Sequence, residues 1–162
     1  MRRIPIIDKL CFFIFKQSLL YEENVRRSFL LKYDINPQLI SRKVRIDNIS
    51  NITIGKGSYI NSGMIFAGFD SKIIIGENCA IGYNVSIKSR THDKNCPTGK
   101  DSVHIEKDIV IGDNVWIGDN VFIREGVVIG NNCIVGANSV VTKCFDDNLI
   151  VGGVPAKIIG RL

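Results

Sequence analysis

The stretch Ile105-Glu-Lys-Asp-Ile-Val-Ile111-Gly-Asp-Asn-Val-Trp-Ile117-Gly-Asp-Asn-Val-Phe-Ile123-Arg-Glu-Gly-Val-Val-Ile129-Gly-Asn-Asn-Cys-Ile-Val135-Gly-Ala-Asn-Ser-Val-Val141 puts a branched aliphatic residue at every sixth position. Counting backward by six from Ile105 meets Gly99, Asp93, Ile87, Ile81, Ile75 and Phe69, so eleven of thirteen anchors are large and apolar. Glycine follows the anchor at 76, 82, 112, 118, 130 and 136, and asparagine sits three after it at 78, 84, 114, 120, 132 and 138. A period of six matches neither the helical 3.6 nor simple strand alternation. Each hexad is therefore a short strand and a corner, with glycine and asparagine supplying the left-handed backbone that corners need. The residue four after each anchor is mostly small or β-branched, as at Cys79, Val85, Thr91, Ile109, Val115, Val121, Val127, Cys133 and Ser139. One large and one small inward side chain per hexad can fill a narrow prism. Three hexads close a triangular coil of 18 residues, and coils stack at about 4.8 Å. Phe69 to Val141 then amounts to four coils. Ile54-Gly55 to Ile60 repeats the pattern with its phase shifted by three.

The fold class expected is all-β, a parallel β-helix with a short N-terminal helical segment and a C-terminal cap. The divisions fall at 1–45 for the helical segment, 46–150 for the β-helix and 151–162 for the cap. Residues 5–32 read as helix, with Phe12, Phe13, Phe15, Leu19, Leu20, Val25, Phe29 and Leu30 on an apolar face. That helix either packs as a cap or, aided by Arg2, Arg3, Lys9 and Lys16, touches a membrane peripherally. The apolar run Leu10–Phe15 is too short to span a bilayer, and no signal peptide is evident.

The net charge of +5 suits an anionic partner, such as a phosphate-bearing cofactor or an anionic membrane. The basic residues form no run and are not interleaved with aromatics, which argues against nucleic acid. Five cysteines, odd in number and without a CxxC pair, read as reduced thiols of a cytoplasmic protein, with neither a metal site nor a disulfide framework.

Both failed anchors, Asp93 and Gly99, lie in the polar stretch Ser89-Arg-Thr-His-Asp-Lys-Asn-Cys-Pro-Thr-Gly-Lys-Asp-Ser102. The phase resumes at Ile105, so a loop at 92–104 leaves the wall in place of most of one coil. Long loops on rigid scaffolds carry function. His92, one of two histidines, lies at its base. An imidazole can take a proton from an alcohol and pass it to a leaving thiolate. Alone, a loop histidine is an ordinary surface residue, and His104 reads as structural.

Thr91-His-Asp, then Ile111-Gly-Asp-Asn-Val-Trp-Ile-Gly118, Val140-Val-Thr-Lys143 and Gly153-Val-Pro-Ala-Lys157 resemble the galactoside, maltose and nodulation O-acetyltransferase branch of the hexapeptide-repeat acyltransferases. The resemblance covers roughly 50–162 and implies a left-handed helix, acetyl-CoA as co-substrate without a metal, and a saccharide hydroxyl as acceptor. It implies His92 as catalytic base, with direct attack by the acceptor oxygen. It places Tyr59, Asn61, Asp70 and Trp116 on the acceptor side, Asn61 and Trp116 also touching the cofactor. Cofactor contacts fall on Ala137, Thr142, Lys143 and Lys157. Asp119 stands where relatives have a serine, and Arg161 lies one position from the tail arginine. The resemblance also implies a homotrimer with sites between subunits, and surface-polysaccharide biosynthesis as context.

Other readings stay open. Tyr59 and Asn61 also suit ordinary corners, Lys143 a solvated surface, and Trp116 packing between subunits. A non-catalytic β-helix assembly module and an antibiotic acetyltransferase are the competing functions. A zinc carbonic anhydrase needs three histidines at the metal, and the chain has two. Outward apolar positions form columns, Ile74, His92, Val110 and Val128 in one, Trp116 and Ile134 in another, as expected of faces buried between subunits.

Overall fold

The computed structural model describes residues 6–36, 38–95 and 103–162. It divides into two compact units, 1–37 and 38–162. The first unit is helix α1 (Ile6–Lys32). Its end is a Schellman motif. Asp34 takes the left-handed conformation, the Ile35 N–H donates to the Leu30 carbonyl (3.0 Å), and the Asp34 N–H donates to Leu31 (3.1 Å). Leu30 and Ile35 are buried. Phe12, Phe13, Ile14 and Phe15 are all more than half exposed. Successive residues turn 100° around a helix, so these four point in all directions rather than forming the expected stripe.

The second unit winds through three flat faces. Chain order gives β1 (Val44–Asp47), β2 (Ile52–Ile54) and β3 (Tyr59–Ile60), then β4 (Gly63–Phe66), β5 (Ile73–Ile75) and β6 (Ala80–Ile81). After β7 (Val85–Lys88) come the hairpin strands β8 (Arg90–His92) and β9 (His104–Glu106). The wall resumes with β10 (Ile109–Ile111), β11 (Trp116–Ile117), β12 (Phe122–Ile123), β13 (Val128–Ile129), β14 (Ile134–Val135) and β15 (Val140–Val141). It closes with β16 (Leu149–Gly152) and β17 (Lys157–Arg161). The first face is β1-β4-β7-β12-β15, the second β2-β5-β10-β13, and the third β3-β6-β11-β14-β16, with β17 antiparallel to β16. All other pairings within the faces are parallel, as a helical winding requires.

The anchors form the core. Ile75, Ile81, Ile87, Ile111, Ile117, Ile123, Ile129, Val135 and Val141 are at most 1% exposed. Burying each such side chain is worth about 2 kcal/mol. Cys79 and Cys133 fill small inward positions and are fully buried. All six corner asparagines are left-handed, with φ between 54° and 59°. They bond in ladders along the corners, as Asn84 to Asn120 (2.9 Å) and Asn120 to Asn138 (3.2 Å). The glycines serve a different end from the one expected. Gly76 is not left-handed, but a Cβ there would lie 2.6 Å from the Gly112 carbonyl oxygen, so it is needed for close stacking of corners. Gly63 combines both needs, at φ +132° with the Val85 carbonyl oxygen 1.9 Å from a Cβ position.

The winding departs from the expected arithmetic at a bulge and at the hairpin. Ile54 pairs with Ile75, a step of 21, because residues 67–72 bulge outward; this produces the shift of three in phase. Phe69, counted as an anchor, is on that bulge and 73% exposed. Ile75 pairs with Ile111, a step of 36, whereas Ile111 pairs with Ile129, a step of 18. One whole coil has therefore left the wall. Ile105 pairs with Thr91 in the hairpin instead of anchoring the core, and His92 is absent from the Ile74–Val110–Val128 column. The boundaries move accordingly. The wall takes up chain at Ile40, bridged to Ile60, before the expected 46. Leu149 and Val151 still belong to a wall strand, β16, so the cap begins after it. Gly99 and Cys96 lie outside the described residues, as do the side chains of Arg2, Arg3 and Lys9.

Candidate active site

The hairpin leaves the corner between the first and second faces. Arg90 pairs with Glu106, Thr91 with Ile105 and His92 with His104. The Asp93 N–H continues the ladder to the Val103 carbonyl (3.0 Å). His92 is exposed and His104 half-buried. Their ring centroids are 4.6 Å apart, tilted by 40°.

Glu106 ties this hairpin to the bulge at 67–72. Its carboxylate accepts from the Asp70 N–H (2.7 Å) and the Ser71 hydroxyl (3.4 Å) and pairs with Arg90 (3.4 Å). Burial alone would raise the Glu106 carboxyl. The N–H groups of Asp70 and Phe69 and the Arg90 guanidinium outweigh it and hold the group below its ordinary value. The Arg90 Nε is buried and makes an ion pair, not a hydrogen bond. Its guanidinium also lies over the Phe69 ring, 5.0 Å from the centroid. The two irregularities of the winding thus brace each other and fix the strand that carries His92.

A cleft of about 430 Å³ opens between β8 and the outer side of the first face. It is lined by Arg90, Thr91 and His92 of β8, by Arg45, Asp47, Met64, Phe66, Lys88 and Phe122 of the first face, and by Glu125. Arg45 pairs with Asp47 (3.1 Å), and Arg124 pairs with Glu125, whose side chain is buried. Sequence reasoning missed this cleft, along with Glu106 and the closeness of His104 to His92. A signal was present in Arg90-Thr-His92 and His104-Ile-Glu106, whose order mirrors across a hairpin and pairs opposite charges.

The expected site residues fall into separate groups. Asp70 is exposed on the bulge beside the hairpin. Thr142 and Lys143 follow β15 at the same corner, both exposed, with the Lys143 ammonium 5.5 Å from the Phe145 ring centroid. Tyr59 and Trp116 point outward from the third face, 42% and 57% exposed, each in register with Ala80 from opposite sides. Asn61, Asp119 and Ala137 lie at the corner between the third and first faces. The Asp119 carboxylate there accepts from the Tyr83 N–H (2.7 Å), which is a corner-stacking bond. Lys157 and Arg161 are exposed on β17. One chain therefore does not gather His92 with Tyr59 and Trp116, which stand on another face. Among the described residues, no group of three or more His, Cys, Asp or Glu side chains could hold a metal ion.

A family model described as bacterial transferase hexapeptide (six repeats) matches residues 108–143, and the hexapeptide repeat of succinyl-transferase matches 72–89. The two matches stop and restart on either side of the hairpin. A Dictyostelium discoideum protein carrying an acetyltransferase name is 36% identical in an alignment of 156 positions that covers 90% of this chain and 81% of that one. The hexapeptide-repeat acetyltransferase VCA0836 of Vibrio cholerae, solved with acetyl-CoA, is 36% identical with a TM-score of 0.66 over 74% of this chain. The chain spans 64% of that protein's length. A galactoside acetyltransferase solved with coenzyme A is 30% identical with a TM-score of 0.73, over 91% of this chain and 79% of that one. The chain belongs to the hexapeptide-repeat acetyltransferase family, whose fold is the left-handed parallel β-helix.

Proposed function

We propose that the protein moves the acetyl group of acetyl-CoA to a saccharide hydroxyl, with His92 as general base. The observation that carries this reading is the position of His92, exposed on a braced hairpin at the wall of a cleft large enough for a sugar ring. The imidazole takes the proton of the acceptor hydroxyl as its oxygen attacks the thioester carbonyl. The carbon–sulfur bond then breaks, and the same proton passes to the departing thiolate. Similarity to the galactoside enzyme and to a maltose O-acetyltransferase from Clostridium difficile, 32% identical with a TM-score of 0.63, supports a sugar acceptor.

The same reading makes the working form a homotrimer. Tyr59 and Trp116 of one copy would approach the His92 hairpin of the next, with Asn61, Asp119, Ala137, Thr142, Lys143, Lys157 and Arg161 placed for the cofactor and Asp70 for the acceptor. The outward apolar residues Ile74, Val128 and Trp116, each more than a third exposed, suit faces covered by a neighbour. A cytoplasmic enzyme of surface-polysaccharide synthesis fits this chemistry. Among the described residues, no helix is long and apolar enough to cross a membrane, and contact of α1 with a membrane surface belongs to the same proposal.

The test is thiol release from acetyl-CoA across a panel of sugars and nucleotide sugars, with sedimentation of the same sample. Acceptor-dependent release by a trimer is expected. Inactivity with every acceptor together with no acetyl-CoA binding by calorimetry would favour an assembly module instead, and a monodisperse monomer would remove the intersubunit site.

A further inference from the structure

We propose that the acceptor is an anionic saccharide, whose carboxylate or phosphate pairs with Lys88 in the cleft beside His92. This rests on the acetyl-transfer reading above and narrows its substrate. Two of the three lysine and arginine side chains that line the cleft already have a carboxylate, as does Arg124 next to its lining residue Glu125. Arg45 has Asp47, Arg90 has Glu106, and Arg124, just outside, has Glu125. Lys88 is half-buried and has no ion pair among the described residues. A half-buried ammonium loses hydration without gaining a partner, and an incoming anion repays that cost.

The register shows where the anion would sit. Asp47, Phe66 and Lys88 stand abreast on β1, β4 and β7, at strand spacings of about 4.8 Å. Lys88 is four residues before His92 on the chain that turns into β8. Met64, Phe66 and Phe122 give an apolar floor for the face of a sugar ring, and the Asp47 carboxylate beside Phe66 can accept from its hydroxyls. A ring on this floor reaches His92 with a hydroxyl and Lys88 with its acidic group.

The cofactor's own phosphates are the competing claim on Lys88. The cleft runs from His92 over β1, β4, β7 and β12. Thr142, Lys143, Lys157 and Arg161, proposed above for the cofactor, follow β15 or lie on β17, and none of them lines the cleft. The anion at Lys88 is therefore assigned to the acceptor.

The experiment compares matched acceptors in the thiol-release assay on the full chain: galactose with galacturonate, glucose with glucose 6-phosphate, and neutral sugars with nucleotide sugars. The wild type is expected to favour the anionic member by at least about 10-fold in kcat/KM, roughly what one tenfold step of 1.4 kcal/mol represents. The carboxylate and phosphate arms show which group is taken. In Lys88→Gln that preference ratio falls by about 10-fold or more, and Lys88→Arg keeps it. Should Lys88→Gln fail to fold, the wild-type ratio and Lys88→Arg decide. Turnover of neutral sugars with no anionic preference overturns this inference and leaves acetyl transfer standing. A rise in the KM for acetyl-CoA in Lys88→Gln, with acceptor selectivity unchanged, overturns it in favour of the cofactor. Release with no acceptor at all sinks both readings.

Discussion

His92 and His104 face each other across the last paired rung of the β8–β9 hairpin, with ring centroids 4.6 Å apart. The ring of an exposed histidine is free to turn, and a general base must hold one nitrogen toward the acceptor. The His104 ring limits that freedom. His104→Ala is therefore expected to lower kcat by about 10-fold while the KM for acetyl-CoA stays within about twofold. His104→Phe, which keeps a planar ring in place, should recover most of the loss. Equal loss in both variants would mean that the contact is not what positions His92.

Glu106 fastens the hairpin to the bulge through the Asp70 N–H and Arg90. Its carboxyl is held below the ordinary value of 4.5, so the bonds it makes favour the folded state when it is ionised. That stabilisation is fully present above the unfolded value and is lost as pH falls through the lower, folded one. Thermal unfolding followed from pH 6 to pH 3 should show a decline starting just below pH 4.5. Glu106→Gln should be less stable at pH 6 by about 1–2 kcal/mol and lack that part of the decline. Parallel curves for the two proteins would show that the Glu106 contacts contribute nothing.

Gly63 and Gly136 make a matched pair. A Cβ at Gly63 would meet the Val85 carbonyl oxygen at 1.9 Å, on a backbone with φ +132°. A Cβ at Gly136 meets nothing nearer than 3.5 Å. Gly63→Ala should cost about 3 kcal/mol or more, or abolish folding, while Gly136→Ala stays within about 1 kcal/mol of the wild type. Chemical denaturation measures both. Similar midpoints would contradict the close stacking of the early coils.

The repeat was legible because each anchor faces inward, and one inward residue per side imposes the period of six. The asparagines were legible for a backbone reason, since all six occupy left-handed corners. Phase arithmetic has a blind spot, however. An excursion of 18 residues returns the chain in register, so counting by six cannot tell a coil that stays in the wall from one that leaves it. Ile105 kept the period while sitting on the hairpin, and His92 seemed to belong to the Ile74 column for the same reason. Phe69 also fell on the count, yet it stacks under Arg90 on the bulge. The cleft could not be read at all. It depends on β8 crossing beside β1, β4 and β7, which are brought together by the winding and not by any local motif.

The central claim is that His92 is the base for acetyl transfer, and His92→Ala tests it most directly. With an acceptor found active for the wild type, the account predicts a fall in kcat of at least about 100-fold, with acetyl-CoA affinity by calorimetry nearly intact. Turnover like that of the wild type in the folded His92→Ala protein would contradict it.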